Sequence, residues 1–171
     1  FAHAFNGDIS TWDTSKVTCM EDMFNSCRQF NCDISQWDTS NVTSLGGTFC
    51  GCHAFNRDLS AWDTSNVTCM EDTFKNALRF KGDISSWDTS KVTNMKRMFY
   101  HASSFCGDIH EWDTSSVSTE TNLMDRFHAF HGNFNVNNIF DMLPNMVSGE
   151  GSSVTAYTDM FKGCPIVTDY K

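Results

Sequence analysis

Apolar residues return along this chain at one fixed interval. Trp12, Trp37, Trp62, Trp87 and Trp112 are spaced by 25 residues, and so are Phe5, Phe30, Phe55, Phe80, Phe105 and Phe130. The polar frame around each tryptophan is equally constant: "DISTWDTSKVT" at 8–18 recurs as "DISQWDTSNVT" at 33–43, "DLSAWDTSNVT" at 58–68, "DISSWDTSKVT" at 83–93 and "DIHEWDTSSVS" at 108–118. A period of this length marks a coil that cannot bury its own apolar face and must stack on its neighbours. Val17 and its counterparts Val42, Val67, Val92 and Val117 do not vary, whereas the residue before each does: Lys16, Asn41, Asn66, Lys91 and Ser116. Valine therefore points inward and its predecessor outward, and the "VT" segment predicts a short strand in a parallel ladder. In "TCMEDMFNSC", Met20, Met23, Phe24 and Cys27 fall at offsets 0, 3, 4 and 7 with Glu21, Asp22 and Asn25 between them. That spacing predicts a helix of one to two turns with one apolar face. Phe5 through Trp12 predicts an extended return that carries Ile9 and Trp12 into the core, with Asn6 and Gly7 at a turn.

These elements define an α/β solenoid, a leucine-rich-repeat-like stack of 25-residue coils, each a short parallel β-strand, a short helix and an extended return. Residues 1–171 form a single repeat domain. Its regular coils cover 1–130. An irregular insertion follows at 131–153, and a degenerate last coil or cap at 154–171, where "VTAYTDMFKGC" (154–164) resumes the pattern of "VTCMEDMFNSC" (17–27) twelve residues late. The departure reads as a C-terminal cap or as a functional protrusion. The chain opens inside the repeat, which implies a longer array or an end covered by another chain.

The unit "FNxDISxWDTSNVTxMxxMFxxAxxF" resembles the 25-residue repeat of the BspA-type leucine-rich-repeat surface proteins. The resemblance covers 1–130 closely and 154–164 in part. It implies a secreted or cell-surface protein used in adhesion or recognition, and it supplies no catalytic residues.

Charge narrows the partners. Twelve basic residues against 21 acidic ones give a net charge of −9 with no basic run to neutralise phosphates, which disfavours nucleic acid and anionic membrane surfaces. No apolar stretch approaches the roughly 20 residues that a bilayer span needs, so no membrane insertion is expected within this segment. Eight cysteines suit an oxidising compartment. Cys27 and Cys52 hold equivalent places in adjacent coils and are the candidate disulfide, whereas Cys19 and Cys69 are two coils apart and do not join directly. Cys32, Cys50 and Cys106 occupy variable positions and could bridge locally, join protomers or stay free.

The Asp columns have two readings. Asp8, Asp33, Asp58, Asp83 and Asp108, like Asp13 and its counterparts, either cap turns through downstream backbone N–H groups or bind Ca²⁺ as stacked carboxylates. The first needs no cofactor. The threonine columns likewise read as ladders that satisfy the backbone or as an outward array that orders water. Asn41 and Asn66 each open an "NVT" sequon and are candidate N-glycan sites. His3, His53 and His128 read as surface residues, and no Ser, His and Asp combination or glycine loop points to catalysis.

The functional expectation is a non-enzymatic extracellular structural or adhesive surface protein that self-associates head to tail into a rod or filament. The alternative is a cell-surface receptor or adhesin module binding a protein or glycan on its strand face, at Lys16, Asn41, Asn66, Lys91 and Ser116.

Overall fold

A computed structural model describes residues 2–105, 107–109 and 111–117; the insertion, the last coil, Cys106, His128 and Phe130 lie outside these residues. The chain winds in coils of 25 residues, numbered here from the recurring phenylalanine: coil 1 is 5–29, coil 2 is 30–54, coil 3 is 55–79, coil 4 is 80–104, and coil 5 is described as far as 117.

The expected strands and helices do not form. Among the described residues there is no helix, and β pairing is confined to the isolated parallel bridges Cys19 to Ser44, Ser44 to Cys69 and Cys69 to Asn94. An α/β solenoid of strands and helices is therefore the wrong description, and the backbone bonds at 20–27 give the reason. Met20, Asp22, Phe24 and Ser26 donate their N–H groups out of the coil, to the carbonyls of Ser44, Gly46, Thr48 and Cys50 in coil 2. Met23, Asn25 and Cys27 donate within the coil, each to the carbonyl three residues back. A helix would keep every one of these donors inside its own segment. Here alternate residues serve the neighbouring coil, and the segment becomes a ribbon of overlapping turns. The ribbon recurs at 45–52 and 70–77 with the same alternation, and at 95–102 Met98, Tyr100 and Ala102 repeat the bonds within the coil.

This ribbon requires left-handed backbone at two places in each coil. Asp22, Gly47, Asp72 and Arg97 have φ between 53° and 62°, and Ser26, Gly51, Asn76 and His101 between 57° and 70°. Residue types that tolerate this region dominate both columns. At Gly47 the requirement is steric as well, because a Cβ there would run into the Asp22 carboxylate of the coil before.

The interior is a set of aromatic columns. Phe30 stacks on Phe55, Phe55 on Phe80 and Phe80 on Phe105 at 5.7–5.9 Å. Phe24, Phe49, Phe74 and Phe99 form a second column at 5.5–5.9 Å. The two columns interlock, with Phe49 and Phe55 4.1 Å apart and Phe74 and Phe80 4.0 Å apart, all in offset-stacked geometry. Ile9, Met20, Ile34, Val42, Leu45, Leu59, Val67, Met70, Ile84 and Val92 are among the aliphatic residues packed into this core. Two residues assigned to the core lie outside it: Trp12 is 57% exposed and Met23 37%. Both belong to the first described coil. Trp37, Trp62, Trp87 and Trp112, each with a coil in front of it, are no more than 3% exposed.

Candidate functional site

Each Asp of the invariant stretch is tied to a serine two residues on, except Asp108, where the sequence has His110 in that place. Oδ1 of Asp8, Asp33, Asp58 and Asp83 accepts the N–H of Ser10, Ser35, Ser60 and Ser85 at 2.9–3.0 Å. Asp13, Asp38, Asp63, Asp88 and Asp113 hold Ser15, Ser40, Ser65, Ser90 and Ser115 in the same way. These are Asx turns, the short-range alternative to a backbone ladder. The hydroxyl bonds of Ser10, Ser15, Ser40 and Ser90, at 2.6–2.7 Å, strengthen them. Hydrogen bonds to an ionised carboxylate favour ionisation. The serine side chain, followed by its backbone N–H, accordingly holds Asp8, Asp13, Asp38, Asp63, Asp88 and Asp113 below the usual carboxylate value. At Asp33 and Asp83 the backbone N–H is the larger cause. Among the described residues no group of three or more His, Cys, Asp or Glu is placed to hold a metal ion.

The varying slot before the valine forms a ladder between coils. Asn41 donates from Nδ2 to the Ser15 carbonyl, Asn66 to the Ser40 carbonyl, and Ser116 from Oγ to the Ser90 carbonyl, at 2.7–2.9 Å. Lys91 reaches the Asn66 Oδ1 at 2.9 Å, and Lys16 is exposed in the first coil. Both sequons are engaged at their far ends too, since the Thr43 and Thr68 hydroxyls donate to the Thr18 and Thr43 carbonyls.

Two further ladders are buried. Indole N–H groups of Trp37, Trp62, Trp87 and Trp112 donate to the carbonyls of Ile9, Ile34, Leu59 and Ile84. Hydroxyls of Thr39, Thr64 and Thr89 donate to the carbonyls of Asp63, Asp88 and Asp113. Thr14 and Thr114 hold the same place with a buried hydroxyl that has no partner among the described residues. A last column went unrecognised in the sequence, where Asn6 read as a turn residue: the side-chain oxygens of Asn6, Asn31 and Asn56 accept the N–H of Asn31, Asn56 and Lys81. The "FN" that opens the return at 5–6, 30–31 and 55–56 was its only signal.

The six cysteines among the described residues are thiols. Cys27 and Cys52 are buried and free, and Cys52 donates to the Phe24 carbonyl at 3.0 Å. Burial pushes both thiols up, and pushes up half-buried Cys50 as well. Cys19 is exposed and free; Cys32 and Cys69 are half-buried and free. Among the described residues no helix is long and apolar enough to cross a membrane.

A molecule whose side-chain amides, indoles, hydroxyls and carboxylates mostly serve its own or its neighbour's backbone, once per 25 residues, is a repeat protein of stacked coils. The chain belongs to the family described as "Mycoplasma protein of unknown function, DUF285", whose model matches three overlapping stretches, 1–59, 33–139 and 57–168. No curated protein and no solved structure shows significant similarity to it.

Proposed function

We propose that the chain is a non-enzymatic structural or adhesive module of the BspA type, acting outside the cell and associating end to end with copies of itself. The observation that carries this reading is the complementarity of the two sides of a coil. One side offers the N–H groups of residues such as Asp72, Phe74 and Asn76, and the facing side of the next coil offers the carbonyls of Lys96, Met98 and Tyr100. Any coil face left open thus presents the surface on which another coil of the same kind is built, as an unpaired sheet edge does. Head-to-tail contacts that do not close generate a filament. The resemblance of the repeat unit supports the extracellular setting.

The receptor reading places a ligand on the column of Lys16, Asn41, Asn66, Lys91 and Ser116. Asn41, Asn66 and Ser116 each donate to the preceding coil, which favours a scaffolding role for that column. Sedimentation velocity at rising concentration, with negative-stain imaging of the same samples, tests the proposal. Thin filaments that lengthen with concentration are expected. Monodisperse short particles at the highest concentration would overturn end-to-end association.

A further inference from the structure

The stretch at 8–18 is nearly the same in every coil, so its hydrogen bonds would join any coil to any other. Nothing in it tells coil 2 from coil 3. The ribbon is different at its two outward positions, 21 and 22 in coil 1 and their counterparts. They hold Glu21 and Asp22, then Gly46 and Gly47, then Glu71 and Asp72, then Lys96 and Arg97. Read along the stack, the charge is negative, none, negative, positive.

Each neighbouring pair in this order is compatible. The Asp22 carboxylate lies over Gly47, in the space a side chain there would need. Gly46 and Gly47 separate two acidic coils whose carboxylates would repel if stacked directly. Coils 3 and 4 are joined by a fork: Arg97 Nε donates to Asp72 Oδ1 at 2.8 Å, and Arg97 Nη2 to Asp72 Oδ2 at 3.0 Å and Glu71 Oε1 at 3.2 Å. Lys75 closes on Asp72 Oδ2 at 3.1 Å, and Asn94 Nδ2 donates to Glu71 Oε2 at 3.0 Å. Bidentate geometry of this kind is specific to its partner. It also answers an oddity of the backbone, because a long side chain at φ 53° is held there by three hydrogen bonds.

We infer that these paired ribbon positions are a matching key, which specifies by charge and by glycine which coil stacks on which. Out-of-order stacking of coil 1 on coil 3 would set Glu21 and Asp22 against Glu71 and Asp72. Stacking of coil 2 on coil 4 would deprive Arg97 of the Asp72 and Glu71 carboxylates that hold it. The key acts wherever coils choose neighbours, in folding of one chain or in contact between chains, and it does not require that chains associate.

Gly46 isolates the charge. Its φ is not left-handed, and the nearest atoms to a Cβ there are Ser44 Oγ, Cys69 Sγ and Glu21 Cγ at 3.5–3.6 Å, so a Cβ enters at ordinary contact distance although Gly46 itself is buried. Gly46→Lys places a cation between the acidic coils, and Gly46→Glu an anion of similar reach. In the full chain at low salt, Gly46→Lys is expected to melt above Gly46→Glu by roughly 3–6 °C. The gap closes towards 1 M salt, where the screening length falls to about 3 Å. A second set reads the fork: Lys96→Glu with Arg97→Asp lowers the melting temperature by a similar amount, and adding Glu71→Lys with Asp72→Arg recovers most of it. Equal melting of the two Gly46 variants, or no recovery in the four-fold exchange, would overturn the key.

Discussion

The invariant stretch at 8–18 and the ribbon at 20–27 face the same physical demand and meet it differently. Each must satisfy the N–H and C=O groups of a chain that turns every few residues, with little regular secondary structure to do so. In the invariant stretch, side chains take the place of a ladder: Asp13 closes on Ser15, Trp37 reaches back to Ile9, Thr39 reaches forward to Asp63. In the ribbon, backbone bonds to backbone across the coils, from Met20 through Ser26. Side chains that stand in for the backbone change little: Asp13, Thr14, Ser15 and their counterparts are constant, and the slot at Lys16 varies only among polar residues. Where the backbone pairs with itself, outward residues are released, and the column of Asp22, Gly47, Asp72 and Arg97 shows how far they diverge.

That contrast applies only to what faces outward, and the sharpest way to break it is from inside. Phe74 is fully buried in the ribbon, 4.0 Å from Phe80 and flanked by Phe49, Phe99 and Trp87. Phe74→Ala is expected to cost about 3–5 kcal/mol, the loss of a large aromatic with a cavity that neighbours in register cannot fill. Trp12 stacks on Trp37 but is 57% exposed, and Trp12→Ala should cost only about 1 kcal/mol despite removing a larger ring. Urea unfolding of both variants decides whether burial or membership of the invariant stretch sets the cost. Equal losses would reverse this account.

The next test stays within the invariant stretch. Thr64 is buried and its hydroxyl donates to the Asp88 carbonyl at 3.0 Å; Thr14 is buried in the same place with no partner. Thr64→Val should destabilise by about 1–2 kcal/mol, because it leaves a carbonyl unsatisfied. Thr14→Val removes an unanswered hydroxyl at nearly constant volume and should be neutral or stabilising. If both variants unfold at the same urea concentration, the hydroxyl ladder is not what holds adjacent coils together there.

The same contrast explains what the sequence pattern revealed and what it hid. Constant Asp-x-Ser pairs and a constant Trp are direct signs of side chains doing a backbone's work, so the Asx turns and the burial of Trp37 to Trp112 were legible. The ribbon misled. Met20, Met23, Phe24 and Cys27 sit at helical offsets, yet overlapping turns also place residues 20, 24 and 27 inward, and periodicity cannot see where an N–H points. The discriminating mark was Gly47 and Gly51, four residues apart and in register with Asp22 and Ser26. Two left-handed positions one helical turn apart exclude a helix. The Asn6, Asn31 and Asn56 column was hidden for a different reason, since an asparagine at the start of a return serves equally well in an isolated turn.

The smallest effect expected is also the one that separates charge from turn geometry. Asp13, Asp38, Asp63, Asp88 and Asp113 have carboxyl groups held below the ordinary 3.8 by their serines. A group whose value is lower in the folded than in the unfolded chain stabilises the fold fully above the unfolded value. That stabilisation is lost as the pH falls from about 4 through the lower folded values. The melting temperature should thus be level between about pH 7 and pH 5 and decline below about pH 4. Asp63→Asn keeps an oxygen to accept the Ser65 N–H while removing the titration, so its neutral-pH melting temperature should lie close to the parent's and its acid decline should be shallower. Asp63→Ala removes the turn as well and should melt lower at every pH. An Asn variant that melts like the Ala variant at pH 7 would mean that the negative charge, and not the Asx turn, is what this column contributes.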